Sequence, residues 1–169
     1  MKSKSDLFKD VLIDNALIVM PEEGEKLETN GMSINFKVTS ENTKDQMGVY
    51  EICLAPKTIG AKLHYHRFMD ETFIIQEGVV TMSLGERTII AEKGSVAHIP
   101  RFTPHGFRND SDKVAKLLLI FNPAQRREGF FIGLHEILND SPIDSHKFLR
   151  LYEKYDSFPV DTDNMIQVE

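Results

Sequence analysis

Glycine closes one short run after another in the middle of this chain. Gln76-Glu77-Gly78 follows Thr72 to Ile75, Gly85-Glu86 follows Val79 to Leu84, and Glu92-Lys93-Gly94 follows Arg87 to Ala91 and leads into Ser95 to Ile99. Glycine tolerates the positive φ that tight hairpin connections require, so this punctuation predicts consecutive antiparallel strands. Short strands at such regular spacing build a β-sandwich or a barrel.

The flanking sequence extends the pattern. Ser33 to Thr39 alternates Ile34, Phe36 and Val38 against Ser33, Asn35 and Lys37, the mark of a half-buried strand. Val49 to Ala55 is a further strand stopped at Pro56, and Lys113 to Phe121 is a last one ended by Asn122-Pro123. The second half of Leu7 to Met20 reads as a strand closed by the turn Pro21-Glu-Glu-Gly24, and the polar run Ser40 to Gln46 reads as a loop. After Pro123 the period changes. Phe130, Phe131, Leu134, Ile137 and Leu138 recur at helical spacing, as do Phe148, Leu151, Tyr152 and Tyr155 beyond Ser141-Pro142. Two C-terminal helices are expected, packed on the outside of the barrel or on a partner subunit. With 169 residues the chain is one domain's worth. Its expected parts are an N-terminal strand or arm (1–32), a barrel core (33–122), a helical extension (123–158) and a tail (159–169).

Charge and composition remove several functions. A net charge of −6, with no Lys/Arg stripe interleaved with aromatics, argues against nucleic acid as a partner. No apolar run reaches membrane-spanning length, and Asp6, Asp10, Asp14 and Asn15 interrupt the N-terminal region where a signal peptide would be unbroken. The single cysteine, Cys53, forms no intrachain disulfide and reads as a small core residue. A cytoplasmic location is the expectation.

The chemistry-bearing residues lie in two stretches. His64 and His66 are two apart, so in a strand both project to one face with Cα atoms roughly 6 to 7 Å apart, close enough for both imidazoles to reach one ion. Glu71 follows five residues later, within reach if the chain turns near Arg67 to Asp70, and His105 lies in the second stretch, Gly94 to Asn109. Other candidates have simpler readings. Asp70 points to the face opposite Glu71 and is read as solvated, His98 as a core or rim histidine, and Lys62 as a solvated side chain at the rim. His135-Glu136 begins like the zinc-protease helix motif, but Asn139 stands where that motif needs histidine. His146 reads as solvent-facing.

Both stretches together resemble the paired motifs of the cupin superfamily. The first motif runs glycine, His-x-His, three or four residues, glutamate, six residues, glycine, and His64, His66, Glu71 and Gly78 fall on its places. The second places glycine, proline, glycine, histidine and asparagine where this chain has Gly94, Pro100, Phe102, His105 and Asn109. Two departures are visible: Gly60 precedes His64 by four residues instead of six, and Phe102 replaces the middle glycine. The resemblance covers about Ile34 to Asn122 and implies an all-β jelly-roll barrel, a double-stranded β-helix, and a homodimer.

It also implies a centre in which His64, His66, Glu71 and His105 hold one divalent transition metal, whether Fe, Mn, Ni, Cu or Zn. Such binding needs neutral imidazoles and an ionised Glu71. Alternation places Phe73 and Ile75 on the face of Glu71, and Phe107 on that of His105, so these three are the expected walls of a pocket for a small-molecule ligand or substrate. The leading expectation is an enzyme similar to quercetin-dioxygenase-like cupins, with Glu71 doubling as a general base. The alternatives are a binding or sensor module without turnover and a metal-dependent isomerase or decarboxylase.

Overall fold

Two antiparallel sheets face each other, and their register decides which side chains meet between them. The computed structural model describes residues 15–29, 31–140 and 142–160. In chain order the elements are β1 (Glu25–Thr29), β2 (Met32–Val38), α1 (Ser40–Thr43), β3 (Gly48–Leu54), β4 (Thr58–Tyr65), β5 (Asp70–Glu77), β6 (Val79–Leu84), β7 (Arg87–Glu92), β8 (Val96–Ile99), β9 (His105–Asn109), β10 (Ala115–Asn122), α2 (Arg127–Asn139), α3 (Ser145–Lys154) and β11 (Phe158–Pro159). One sheet has the order β1-β2-β3-β10-β5-β8 and the other β11-β4-β9-β6-β7. This is the expected all-β jelly roll with two C-terminal helices.

Strict alternation builds the core. Tyr50, Ile52 and Leu54 of β3, Phe73 and Ile75 of β5, and Leu117, Leu119 and Phe121 of β10 are all buried, while their neighbours in sequence are only half covered. Phe131 of α2 joins them, with its ring centroid 4.9 Å from that of Tyr50 and 6.1 Å from that of Phe36. Two close approaches depend on special residues. A Cβ on Gly60 would run into the Phe107 ring, so the missing side chain is what lets that ring pack across β4. Phe102, which stands where the second motif has glycine, adopts φ 64, and its N–H donates to the His66 carbonyl at 2.7 Å. The left-handed step before His105 is therefore kept at a cost of roughly 1 to 2 kcal/mol, with the ring turned out to solvent.

Three expectations are corrected. Residues 15–20 form no strand. Leu17, Ile18 and Met20 are exposed and the first described strand is β1, beyond the Pro21 to Gly24 turn, where Glu25 to Thr29 can pair with Met32 to Phe36; residues 7–14 lie outside the described residues. The polar run after Thr39 contains one turn of helix, because Thr39 and Asn42 cap each other's backbone and Lys44 closes the turn at φ 55. The tail begins with a strand: Phe158 and Pro159 pair with Tyr65 and His64, and the Val160 N–H donates to the Leu63 carbonyl at 3.1 Å. The rest of the tail, 161–169, lies outside the described residues.

Helix α2 is tied to the barrel by Glu128. Its carboxylate accepts from the Ser40 N–H at 2.7 Å, the Ser40 hydroxyl at 2.8 Å and the Tyr50 hydroxyl at 2.6 Å. Burial and then the Glu128 bond push the Tyr50 phenol's pKa up, so it stays protonated and donates. Replacing Tyr50 by Phe is expected to cost about 1.5 to 3 kcal/mol in urea unfolding, the worth of one hydrogen bond to a charged acceptor. A variant as stable as wild type would show that the bond adds nothing to the α2 anchor.

Candidate metal centre

Four side chains from both sheets meet inside the barrel. His64, near the end of β4, is paired in register with His105, the first residue of β9, and the two ring centroids are 4.6 Å apart. His66 follows just past β4, its centroid 4.9 Å from that of His64. Glu71 comes from the opposite sheet, on the same inward-facing rank of β5 as Phe73 and Ile75. All four are buried, and one ligand atom from each lies within 4.8 Å of all the others.

The imidazoles are oriented from behind. His64 Nδ1 lies 2.8 Å from the Lys62 carbonyl, His105 Nδ1 lies 2.9 Å from the Thr103 carbonyl, and His66 Nδ1 meets the Asp156 carbonyl. A carbonyl only accepts, so each Nδ1 carries the hydrogen and each Nε2 is turned toward the cluster. This is the arrangement that metal-ligating histidines adopt. His66 Nε2 lies 3.1 Å and His105 Nε2 2.7 Å from the same Glu71 oxygen, Oε2. Three nitrogens and one carboxylate oxygen, dry and preoriented, fit a divalent first-row ion.

The charges follow from these contacts. Burial disfavours ionised Glu71, but the hydrogen bonds and charges of His105 and His66 outweigh it and hold the carboxyl well below its ordinary range. Burial likewise opposes a charged His105, and the bond to Glu71 overcomes it and raises its pKa. His64 faces two other imidazoles, and burial together with their repulsion holds it neutral, with its pKa well below the ordinary value. Without metal, the cluster thus holds a proton between Glu71 and His105, with a ready lone pair on His64.

Around this centre lies a cavity of about 30 Å³, room for one or two waters. His64, Glu71 and Phe107 line it together with Phe130, Phe131 and Tyr152 from the C-terminal helices. The helices were expected on the outside of the barrel; their aromatic faces instead close over the site, because Phe130, Phe131 and Tyr152 find their apolar surroundings there. Phe73 stands behind Phe107, ring centroids 5.3 Å apart, and edge-on to His105, while Ile75 is buried further along β5. Burial raises the Tyr152 phenol to about 12, so it is a hydrogen-bond donor at neutral pH.

Other sequence candidates sit elsewhere. Asp70 is bound to Arg101, whose Nε is 3.1 Å away and whose hydrogen bonds hold the carboxyl below its usual range. His98 is exposed beside Thr72, and His146 is exposed on α3. Sequence reasoning missed Asp156, Arg127 and Tyr152 as neighbours of the site. Asp156 is buried at φ 57, and besides its carbonyl contact to His66 its carboxylate accepts from the N–H groups of Arg67 and Phe68 at 2.9 and 2.8 Å. Tyr152 was visible only as one apolar helix position, and no motif marks the other two.

Comparison with known proteins agrees with this geometry. Residues 50–121 match the family model described as the cupin domain. The chain is 30% identical over 126 residues to quercetin 2,3-dioxygenase of Bacillus subtilis (strain 168), a match over 75% of this chain and 35% of that protein. It therefore spans about a third of that relative's length. Among solved structures, a predicted oxalate decarboxylase from Thermotoga maritima superposes with a TM-score of 0.59 at 14% identity, over 63% of this chain and 98% of that one. A sugar phosphate isomerase from Silicibacter pomeroyi DSS-3 does so with a TM-score of 0.50 at 24% identity, over 54% and 59%. Those two likenesses speak to the fold alone. Residues 50–121, which carry all four clustered side chains, are a cupin domain. No described helix is long and apolar enough to cross a membrane.

Two outcomes follow from the site. Since His105 keeps its proton to a higher pH than an ordinary imidazole, a metal must displace that proton: binding is expected to release protons increasingly as pH falls through the His105 pKa, and affinity to weaken over the same range. Proton release in weakly buffered solution during Zn titration at a series of pH values measures this, and release that does not grow toward lower pH would contradict the protonated pair. Asp156→Ala removes the acceptor for two N–H groups and strains a left-handed residue, loosening the carbonyl that orients His66. Metal affinity by competition with a chelating dye is expected to fall about ten-fold.

Proposed function

We propose that the protein is a metal-dependent dioxygenase-type cupin that holds one divalent first-row ion on His64, His66, Glu71 and His105 and acts on a small organic molecule bearing an oxygen donor. The observation that carries this reading is that His64 and Glu71, two of the four converging side chains, also line a cavity whose remaining walls are largely apolar, with the rings of Phe107, Phe121, Phe130, Phe131 and Tyr152 among them. Similarity to a quercetin 2,3-dioxygenase supports the reaction class.

When bound, the ion supplies Lewis acidity toward an oxygen donor and, if redox-active, electrons for reaction with dioxygen. The remaining work falls to the chain. Phe107 and the rings of α2 and α3 exclude water, and a flat organic substrate enters as α2 and α3 move outward. Glu71 acts as the proton acceptor. It is a poor base while His105 holds a proton against it, and it would take a proton from a substrate hydroxyl only when neither that proton nor an ion occupied its oxygen. Phe73, packed against Phe107 and His105, and Ile75 support that wall from the core.

The test is elemental mass spectrometry of protein purified without chelator, wild type beside His66→Ala, followed by oxygen uptake with catechols, 1,3-diketones and flavonols. About one ion per chain that disappears in the variant, with oxygen uptake on at least one substrate, is the expected result. Glu71→Gln is expected to keep part of the metal and to lose kcat by more than it loses metal affinity. A loaded protein that converts substrate equally well without oxygen would assign the site to redox-neutral isomerisation or decarboxylation, and absence of metal from both proteins after reconstitution would overturn the reading.

A further inference from the structure

A buried cation without a carboxylate partner lies in the wall of the same cavity. Arg127, the first residue of α2, is 4% exposed and lines the cavity beside His64, Glu71 and Tyr152. Its Nη1 donates to the Tyr155 carbonyl at 3.0 Å and to the Ser157 hydroxyl at 2.9 Å, both neutral acceptors. Its Nε is buried with no hydrogen-bond partner among the described residues. No carboxylate among the described residues lies within ion-pair distance of it, and the carboxylate next in sequence, Glu128, is engaged with Ser40 and Tyr50.

Its setting makes this costly. A buried charge without a counter-charge is strongly disfavoured, and the first turn of a helix is the end where the backbone dipole repels a cation. The chain nonetheless forces Arg127 inward through two successive left-handed residues, Gln125 at φ 52 and Arg126 at φ 50, neither of them glycine. What compensates inside the protein are the charges of Glu71 and Asp156, which act from beyond ion-pair distance, and the ring of Phe130, whose centroid is 3.8 Å from the guanidinium carbon, with that of Phe121 at 4.8 Å. Aromatic faces tolerate a guanidinium while leaving its in-plane N–H groups free for an anion. Were Arg127 only a tie between α2 and the C-terminal segment, its two Nη1 bonds would suffice and the orphaned Nε would have no purpose.

We propose that Arg127 is the anion-recognition residue of the cavity, so that its ligand is a small organic acid, with a carboxylate on the guanidinium and a compact apolar body among the phenylalanine rings. The assignment deepens the reading of this cavity as the substrate site and rests on it. A cavity with room for one or two waters admits such an acid only when α2 and α3 move apart, and the smallest acids demand the least of that movement.

Calorimetric titration of the full chain with acetate, butyrate and benzoate, each beside its neutral amide, tests the proposal on metal-loaded and chelator-treated protein. At least one acid is expected to bind both forms, its amide at least about ten-fold more weakly, and Arg127→Met to lose roughly ten- to hundred-fold in acid affinity while keeping its metal content. Arg127→Lys, which keeps the charge but not the fork of donors, should fall between the two. If Arg127→Met does not fold, the acid–amide contrast in wild type together with Arg127→Lys decides. Equal binding of acid and amide, unchanged acid binding in the folded Arg127 variants, or no acid binding at all would overturn the proposal. So would acid binding confined to the metal-loaded form and lost in His66→Ala, since the anion would then sit on the ion. Arg127-dependent acid binding in a protein that takes up no metal would instead overturn the metal-dependent reading and leave the anion site standing.

Discussion

Three imidazoles can point one nitrogen at a common spot only if the opposite nitrogen is held, and in this barrel each is held by a backbone carbonyl. Two of those carbonyls are local, since Lys62 and Thr103 each lie two residues before the histidine they orient. The third belongs to Asp156, ninety residues from His66. Backbone acceptors are fixed by the fold, so tautomer and ring direction are set before any ligand arrives. The buried Glu71 opposite then has a defined place for its charge, and the unfavourable desolvation of that carboxylate is offset by two donors that face no competing water.

The C-terminal helices belong to the same construction. Glu128 fastens α2 to Ser40 and to the fully buried Tyr50, which sets the height at which Phe130 and Phe131 enter the barrel. Helix α3 brings Tyr152 beside them, with ring centroids of Phe130 and Tyr152 5.1 Å apart. The barrel supplies His64, Glu71 and much of the apolar wall of the cavity, and the helices close it with Phe130, Phe131, Leu134 and Tyr152. A jelly roll without such an extension would leave the four ligands open to bulk water, where hydrogen bonds and charges interact far more weakly.

The barrel was legible because period-two alternation and glycine turns are local signals, and the cluster of His64, His66, Glu71 and His105 because they stand at spacings that hairpin geometry brings together. What was hidden depends on long-range contacts. Residues 15–20 are apolar enough to read as a strand, yet with no neighbour to pair they form none, while the charged Glu25 to Thr29 becomes one by lying against β2. Arg127 looks like any solvated arginine in sequence; only its two preceding left-handed residues and the aromatic roof make it a buried cation. Asp156 falls at the end of a helix, with nothing local to show that its carbonyl would serve a histidine in another element.

The placement of that carbonyl also sets an order in time. All four ligating side chains have been synthesised once His105 is added, but the acceptor that turns His66 comes 51 residues later, about 3 to 10 s at ordinary elongation rates. During that interval the growing chain has the composition of the centre without its geometry, and His66 can present either ring nitrogen. Docking of β11 beside β4 is the moment at which this histidine acquires its final direction.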